Sequence, residues 1–92
     1  MLPLITIGDR GEWVTYCQNL LNARLFGTKA MWVDAEFGVA TDVAVRQFQA
    51  QRFLTVDGKV GDKTWSALEA GPPAINKRPR LQVVIETQGG GI

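Results

Sequence analysis

The chain states one short pattern twice. Residues 33–45 read VDAEFGVATDVAV and residues 56–68 read VDGKVGDKTWSAL, and shifted by 23 positions they share V-D-x-x-x-G-x-x-T-x-x-A. In each copy Asp and Gly punctuate the chain just ahead of a run with helical spacing, so the pattern prescribes a turn that opens into a helix. Two such entries within 92 residues restrict the fold to short helices launched at a fixed angle against an element they share.

That element lies ahead of the first copy. "IGDRGEW" reads as a turn into a helix from about Glu12 to Leu25, with Asp9 expected to accept from the free N–H groups of the first turn. Val14, Cys17, Leu21 and Leu25 form one stripe of a 3.6-residue period, the expected core face. Trp13, Tyr16 and Leu20 add a second apolar line, more than one small core requires, and part of it is expected to meet a partner. "FGTKAMW" then makes a loop, with Gly27 ending the helix.

Within the copies the roles are expected to run in parallel. Asp34 and Asp57 bond their own downstream backbone, and Gly38 and Gly61 take a backbone conformation closed to residues with a Cβ. Thr41 and Thr64 sit in the first helical turn, where a hydroxyl satisfies a free backbone group. Ala44, Val45 and Phe48 in one helix and Trp65 and Leu68 in the other face inward, and Gln18 and Gln49 tie helices to loops. The expected fold is an all-α three-helix bundle over residues 1–71, closed by Gly71, Pro72 and Pro73. Residues 72–92 are expected to form an extended C-terminal tail, in which "RLQVVIE" reads as a strand available to another chain.

Composition narrows the function. With 46% hydrophobic and 21% charged residues the chain folds, and a formal net charge of +1 offers no basic field for nucleic acid. One cysteine and no histidine argue against a disulfide, a metal site or any cofactor, and against a catalytic role for Cys17, which has no imidazole to activate it. Asp34 and Glu36 are close enough to imitate an acid pair, yet they flank a tight turn, so no enzymatic activity is expected. No segment is long and apolar enough for a membrane span, and the first residues lack the pattern of a secretory signal.

The runs "GDRGEWVTYCQNLL", "VDAEFGVATDVAVRQFQ" and "LTVDGKVGDKTWSAL" resemble the peptidoglycan-binding domain of bacterial and phage cell-wall hydrolases, over about residues 4–70. The family pattern is roughly G-x-x-G-x-x-V-x-x-L-Q-x-x-L, then D-G-x-F-G-x-x-T-x-x-A-V-x-x-F-Q, then V-D-G-x-V-G-x-x-T-W-x-x-L. Two positions depart from it: Cys17 replaces the leucine before Gln18, and Ala35 replaces the glycine after Asp34. The resemblance implies a non-catalytic, carbohydrate-binding type of module that anchors an attached or associated hydrolase or particle to the wall. Family members usually travel with an export signal, whereas the first residues here give the expectation of a protein made in the cytoplasm without one, acting at the wall or in the periplasm if a partner or particle delivers it. A rival reading keeps the same fold as a structural subunit of a phage-tail-like or secretion assembly, binding a protein partner through the tail.

A wall polymer asks for flat aromatic faces against sugar rings and for amide or charged groups against hydroxyls and peptide. Trp13, Tyr16 and Trp32 are the aromatic candidates, with coverage of a small core as their other reading. Asp34, Arg46 and Gln47 are the polar candidates, and for Asp34 the other reading is the turn itself.

Overall fold

A computed structural model of the protein describes residues 2–25, 31–71 and Pro79. Among them are three helices, α1 (Glu12–Arg24), α2 (Val39–Gln51) and α3 (Asp62–Glu69). The bundle is as expected, and α1 stops one residue early, at Leu25, which is extended. Gly27 and residues 72–78 and 80–92, on which the expected tail and strand fall, lie outside the described residues.

α1 packs against both other helices. Its stripe of Val14, Cys17 and Leu21 is fully buried, together with Phe37, Val45, Phe48, Val60, Trp65 and Leu68. Each large apolar side chain removed from water here contributes about 1.5–3 kcal/mol. Of the second apolar line of α1, Tyr16 and Leu20 are also core and Trp13 is half-buried against it, which narrows the expected surface left over for a partner. Leu20 is buried, and the Tyr16 ring stacks on Trp65 at 5.7 Å while its hydroxyl donates to Glu69 Oε2. A bundle with an eight-residue third helix needs these rings to close its α1–α3 seam.

The segment ahead of α1 laces the two repeats together. Ile5 exchanges backbone hydrogen bonds with Val60, and Gly8 N–H and Asp9 C=O bond the carbonyl and N–H of Phe37 at 2.9 Å each. Phe37 and Val60 occupy the same position in the two copies, so one extended segment pins the same point of both loops. Trp65 Nε1 adds a bond to the Pro3 carbonyl at 2.6 Å. Asp9 does not cap α1, in contrast to its expected role. Its Oδ2 accepts from Thr6 N–H at 2.9 Å, closing a turn before the helix, and the N-cap of α1 is Gly11, with no side-chain cap.

Candidate functional site

The loop of each copy is built around a buried glutamine from the preceding helix. Gln49 Oε1 accepts from Asp57 N–H and Gly58 N–H at 3.0 Å each, and its Nε2 has Asp57 Oδ1, Lys59 C=O and Thr64 Oγ1 as acceptors at 2.9–3.2 Å. Gln18 repeats this for the first copy with Asp34, Ala35, Glu36 and Thr41. An amide buried without such partners is costly, and here its donors and acceptor are used to shape a loop. Both threonine hydroxyls accept from the glutamine amides, Thr41 Oγ1 also lies within donating reach of the Glu36 carbonyl, and the N-caps of α2 and α3, Gly38 and Gly61, have no side-chain cap.

Both aspartates make the expected turn, Asp34 Oδ1 accepting from Glu36 N–H at 3.0 Å and Asp57 Oδ1 from Lys59 N–H at 2.9 Å. These bonds hold both carboxyls below the ordinary carboxylate range, the Gln18 amide being the main cause at Asp34 and the Lys59 N–H at Asp57.

The glycine roles differ from expectation. Gly38 and Gly61 are extended, at φ −101° and −100°, a conformation open to other residues. The left-handed position is the one after each aspartate, where Gly58 has φ 73° and Ala35 has φ 66°. The departure at Ala35 therefore leaves the turn intact at a cost in backbone strain. A Cβ at Gly58 would lie 2.5 Å from Asp42 Oδ1 and 2.9 Å from Arg46 Nη2. The positions of α1 in equal register with Gln18 are Gly11 and Thr15, so no long side chain overhangs Ala35 in that way.

Beside the second loop, at the start of α3, lies an open groove of about 320 Å³. Leu4, Leu54 and Thr55 form one part of its lining, and Asp57, Lys59, Gly61, Asp62, Lys63 and Thr64 the rest. Asp57 is already bonded within its loop, whereas Lys59 and Lys63 form no ion pair among the described residues. The lining is of mixed character, with lysine and aspartate side chains beside the aliphatic Leu4 and Leu54.

None of the six candidates from the sequence lines this groove. Trp13 and Tyr16 are brought together on the α1–α3 seam, their rings 5.8 Å apart, with Tyr16 buried and Trp13 half-buried edge-on to Trp65. Trp32 stands 89% exposed ahead of the first loop. Asp34 shapes that loop, Arg46 pairs with Asp42 at 3.1 Å beside Gly58, and Gln47 is exposed on α2. The groove residues escaped the sequence reading although one signal marked them. Lys59 and Lys63 stand where the first copy has Glu36 and Ala40, between the Asp, Gly and Thr positions that recur in both copies.

Burial pushes the Cys17 thiol up to about 12, which suits a packing role. Among the described residues no cluster of three metal-ligating side chains forms, and no helix is long and apolar enough to cross a membrane.

The peptidoglycan binding domain family matches residues 10–68. Among solved structures, the endolysin of Burkholderia phage AP3 is 44% identical with a TM-score of 0.68, over 77% of this chain and 26% of that one. The SleB N-terminal domain is 39% identical with a TM-score of 0.65, over 72% of this chain and 88% of that one. A fused zinc-dependent amidase/peptidase/peptidoglycan-binding protein from Clostridium acetobutylicum is 33% identical with a TM-score of 0.70, over 79% of this chain and 32% of that one. The chain thus spans about a quarter of the endolysin and a third of the amidase. No curated protein matches it.

Proposed function

Because the chain belongs to the peptidoglycan binding domain family, we propose that it is a non-catalytic module that holds peptidoglycan and anchors an attached or associated hydrolase or particle at the cell wall. The observation that carries the reading is the family match over residues 10–68, and the surface offered to the polymer is the open groove lined by the second repeat together with Leu4, Leu54 and Thr55. The pattern builds the loops through Gln18 and Gln49, and the groove is what the second loop offers to solvent. In this reading residues 1–71 are the wall-binding unit and residues 72–92 an extended tail.

Of the six side chains singled out in the sequence, Trp32 keeps the strongest claim to the polymer, because its exposed ring is available to stack on a sugar. Tyr16 serves the core, while Asp34 and Arg46 serve the loops.

Co-sedimentation of the purified chain with insoluble peptidoglycan tests the proposal. Saturable capture by the wall, without release of soluble wall fragments, is expected. A chain that stays in the supernatant at high peptidoglycan excess, or that solubilises the wall, contradicts it.

A further inference from the structure

The two repeats supply an internal control on which groove residues the fold demands. Gln18 and Gln49 impose the same backbone on both loops, so a side chain required by that backbone should appear in both copies. The aspartates and threonines do, as Asp34 with Asp57 and Thr41 with Thr64. The cations do not: Lys59 corresponds to Glu36, and Lys63 to Ala40. Lys59 on the second loop and Lys63 in the first turn of α3 thus stand where the first copy folds with neither.

The groove lining carries two ammonium groups, Lys59 and Lys63, and two carboxylates, Asp57 and Asp62; the Asp57 carboxylate accepts from the Gln49 amide and the Lys59 N–H and feels the Lys59 charge, while Lys63 forms no ion pair among the described residues. No aromatic residue lines the groove, whose apolar walls are Leu4 and Leu54. Sugar rings are recognised on flat aromatic faces, whereas a carboxylate is recognised by cations and a small aliphatic side chain by leucine. A volume of about 320 Å³ lies at the small end of ligand pockets and fits one or two amino-acid residues.

We infer that the groove takes the peptide part of the wall polymer, with Lys59 and Lys63 receiving a free carboxylate of the stem peptide and Leu4 and Leu54 packing on its methyl groups. The inference rests on the wall-binding reading above and adds which component the groove selects. Trp32, on the other repeat, is left to the glycan.

The test compares capture by intact peptidoglycan with capture by glycan strands stripped of their peptides. It is run with the full chain and with a Lys59→Gln/Lys63→Gln variant whose helicity is checked by circular dichroism. A stem tetrapeptide with free carboxylates, and its fully amidated counterpart, serve as competitors with the unaltered protein, so that one arm is independent of the variant's folding. The expected result is that stripped glycan binds at least about tenfold more weakly, that the double variant loses a similar factor on intact wall, and that only the free-carboxylate peptide competes. Equal capture of stripped and intact polymer, equal competition by the amidated peptide, or undiminished binding by a folded variant overturns the inference while wall binding stands. Capture of neither polymer by the unaltered chain removes the wall-binding reading and this inference with it.

Discussion

Gln18 and Gln49 sit on different helices and make the same five hydrogen-bonding contacts to two loops that lie 23 positions apart in the sequence. Each is preceded by the same core spacing, Val14-x-x-Cys17 and Val45-x-x-Phe48. The unit that repeats is thus a helix with its glutamine, the loop it holds and the start of the next helix. α2 belongs to both copies, ending one unit and supplying the glutamine of the next.

If the glutamines set the loops, Gln49→Leu should destabilise the protein by about 2–4 kcal/mol despite its similar volume, because buried loop N–H groups lose their acceptor. Gln18→Leu should do the same. Urea unfolding followed by circular dichroism measures both, and a loss below about 0.5 kcal/mol would contradict the role.

Substitutions at the turn should separate by backbone conformation. Gly58→Ala places a Cβ at positive φ against the Asp42–Arg46 pair and should cost about 1–2 kcal/mol. Gly61→Ala adopts its extended backbone without strain, 3.6 Å from Leu4 Cδ1, and should cost less than about 1 kcal/mol. Ala35→Gly relieves a left-handed alanine and should be neutral or stabilising by about 0.5 kcal/mol. Thermal melts rank the three, and a Gly61→Ala variant weaker than Gly58→Ala would reverse the assignment.

The two turn aspartates predict how stability depends on pH. Their carboxyls are held below the ordinary value in the fold, so their contribution is present in full above the unfolded value, about pH 4, and is lost as pH falls through the lower folded values. Stability should therefore drop on acidification below about pH 4, and Asp34→Asn/Asp57→Asn should flatten that drop. Urea midpoints between about pH 2 and pH 7 measure it, and an unchanged slope in the double variant would reject the assignment.

Cys17 should behave as a reporter of opening. It is buried in the core with its thiol pushed up to about 12, so a thiol reagent at pH 8 should label it only as fast as the bundle unfolds. Rapid labelling under native conditions would show that α1 does not pack as described.

Much of this architecture was legible in the residues. The repeat announced two loop-to-helix entries, the stripe Val14, Cys17 and Leu21 announced a shared helix, and both aspartates form the turns their positions suggested. Gly38 and Gly61 misled because a glycine before a helix suits an extended N-terminal residue as well as a left-handed one, and φ is not written in the residue type. Tyr16 and Leu20 misled because a helix wheel counts apolar surface on one helix and says nothing of how little of it a short α3 covers without them. The groove was the least visible feature, since its walls come from Leu4, Leu54 and Lys63, distant in sequence and joined only when the N-terminal segment pairs Ile5 with Val60. Its trace in the sequence is the place where the copies disagree. What the copies share, Asp34 with Asp57 and Thr41 with Thr64, maintains the loops; of what differs, Trp65 against Asp42 serves the core, and Lys59 against Glu36 lies at the groove.

The measurement that tests the account most directly is a residue-resolved NMR titration of the full chain with soluble peptidoglycan fragments that retain both sugar and stem peptide. Amide shifts concentrated at Leu54, Thr55 and Lys59–Thr64, saturating with fragment concentration, are predicted. Absence of saturable shifts, or shifts that gather on α2 around Arg46 and Gln47 with the groove silent, would contradict it.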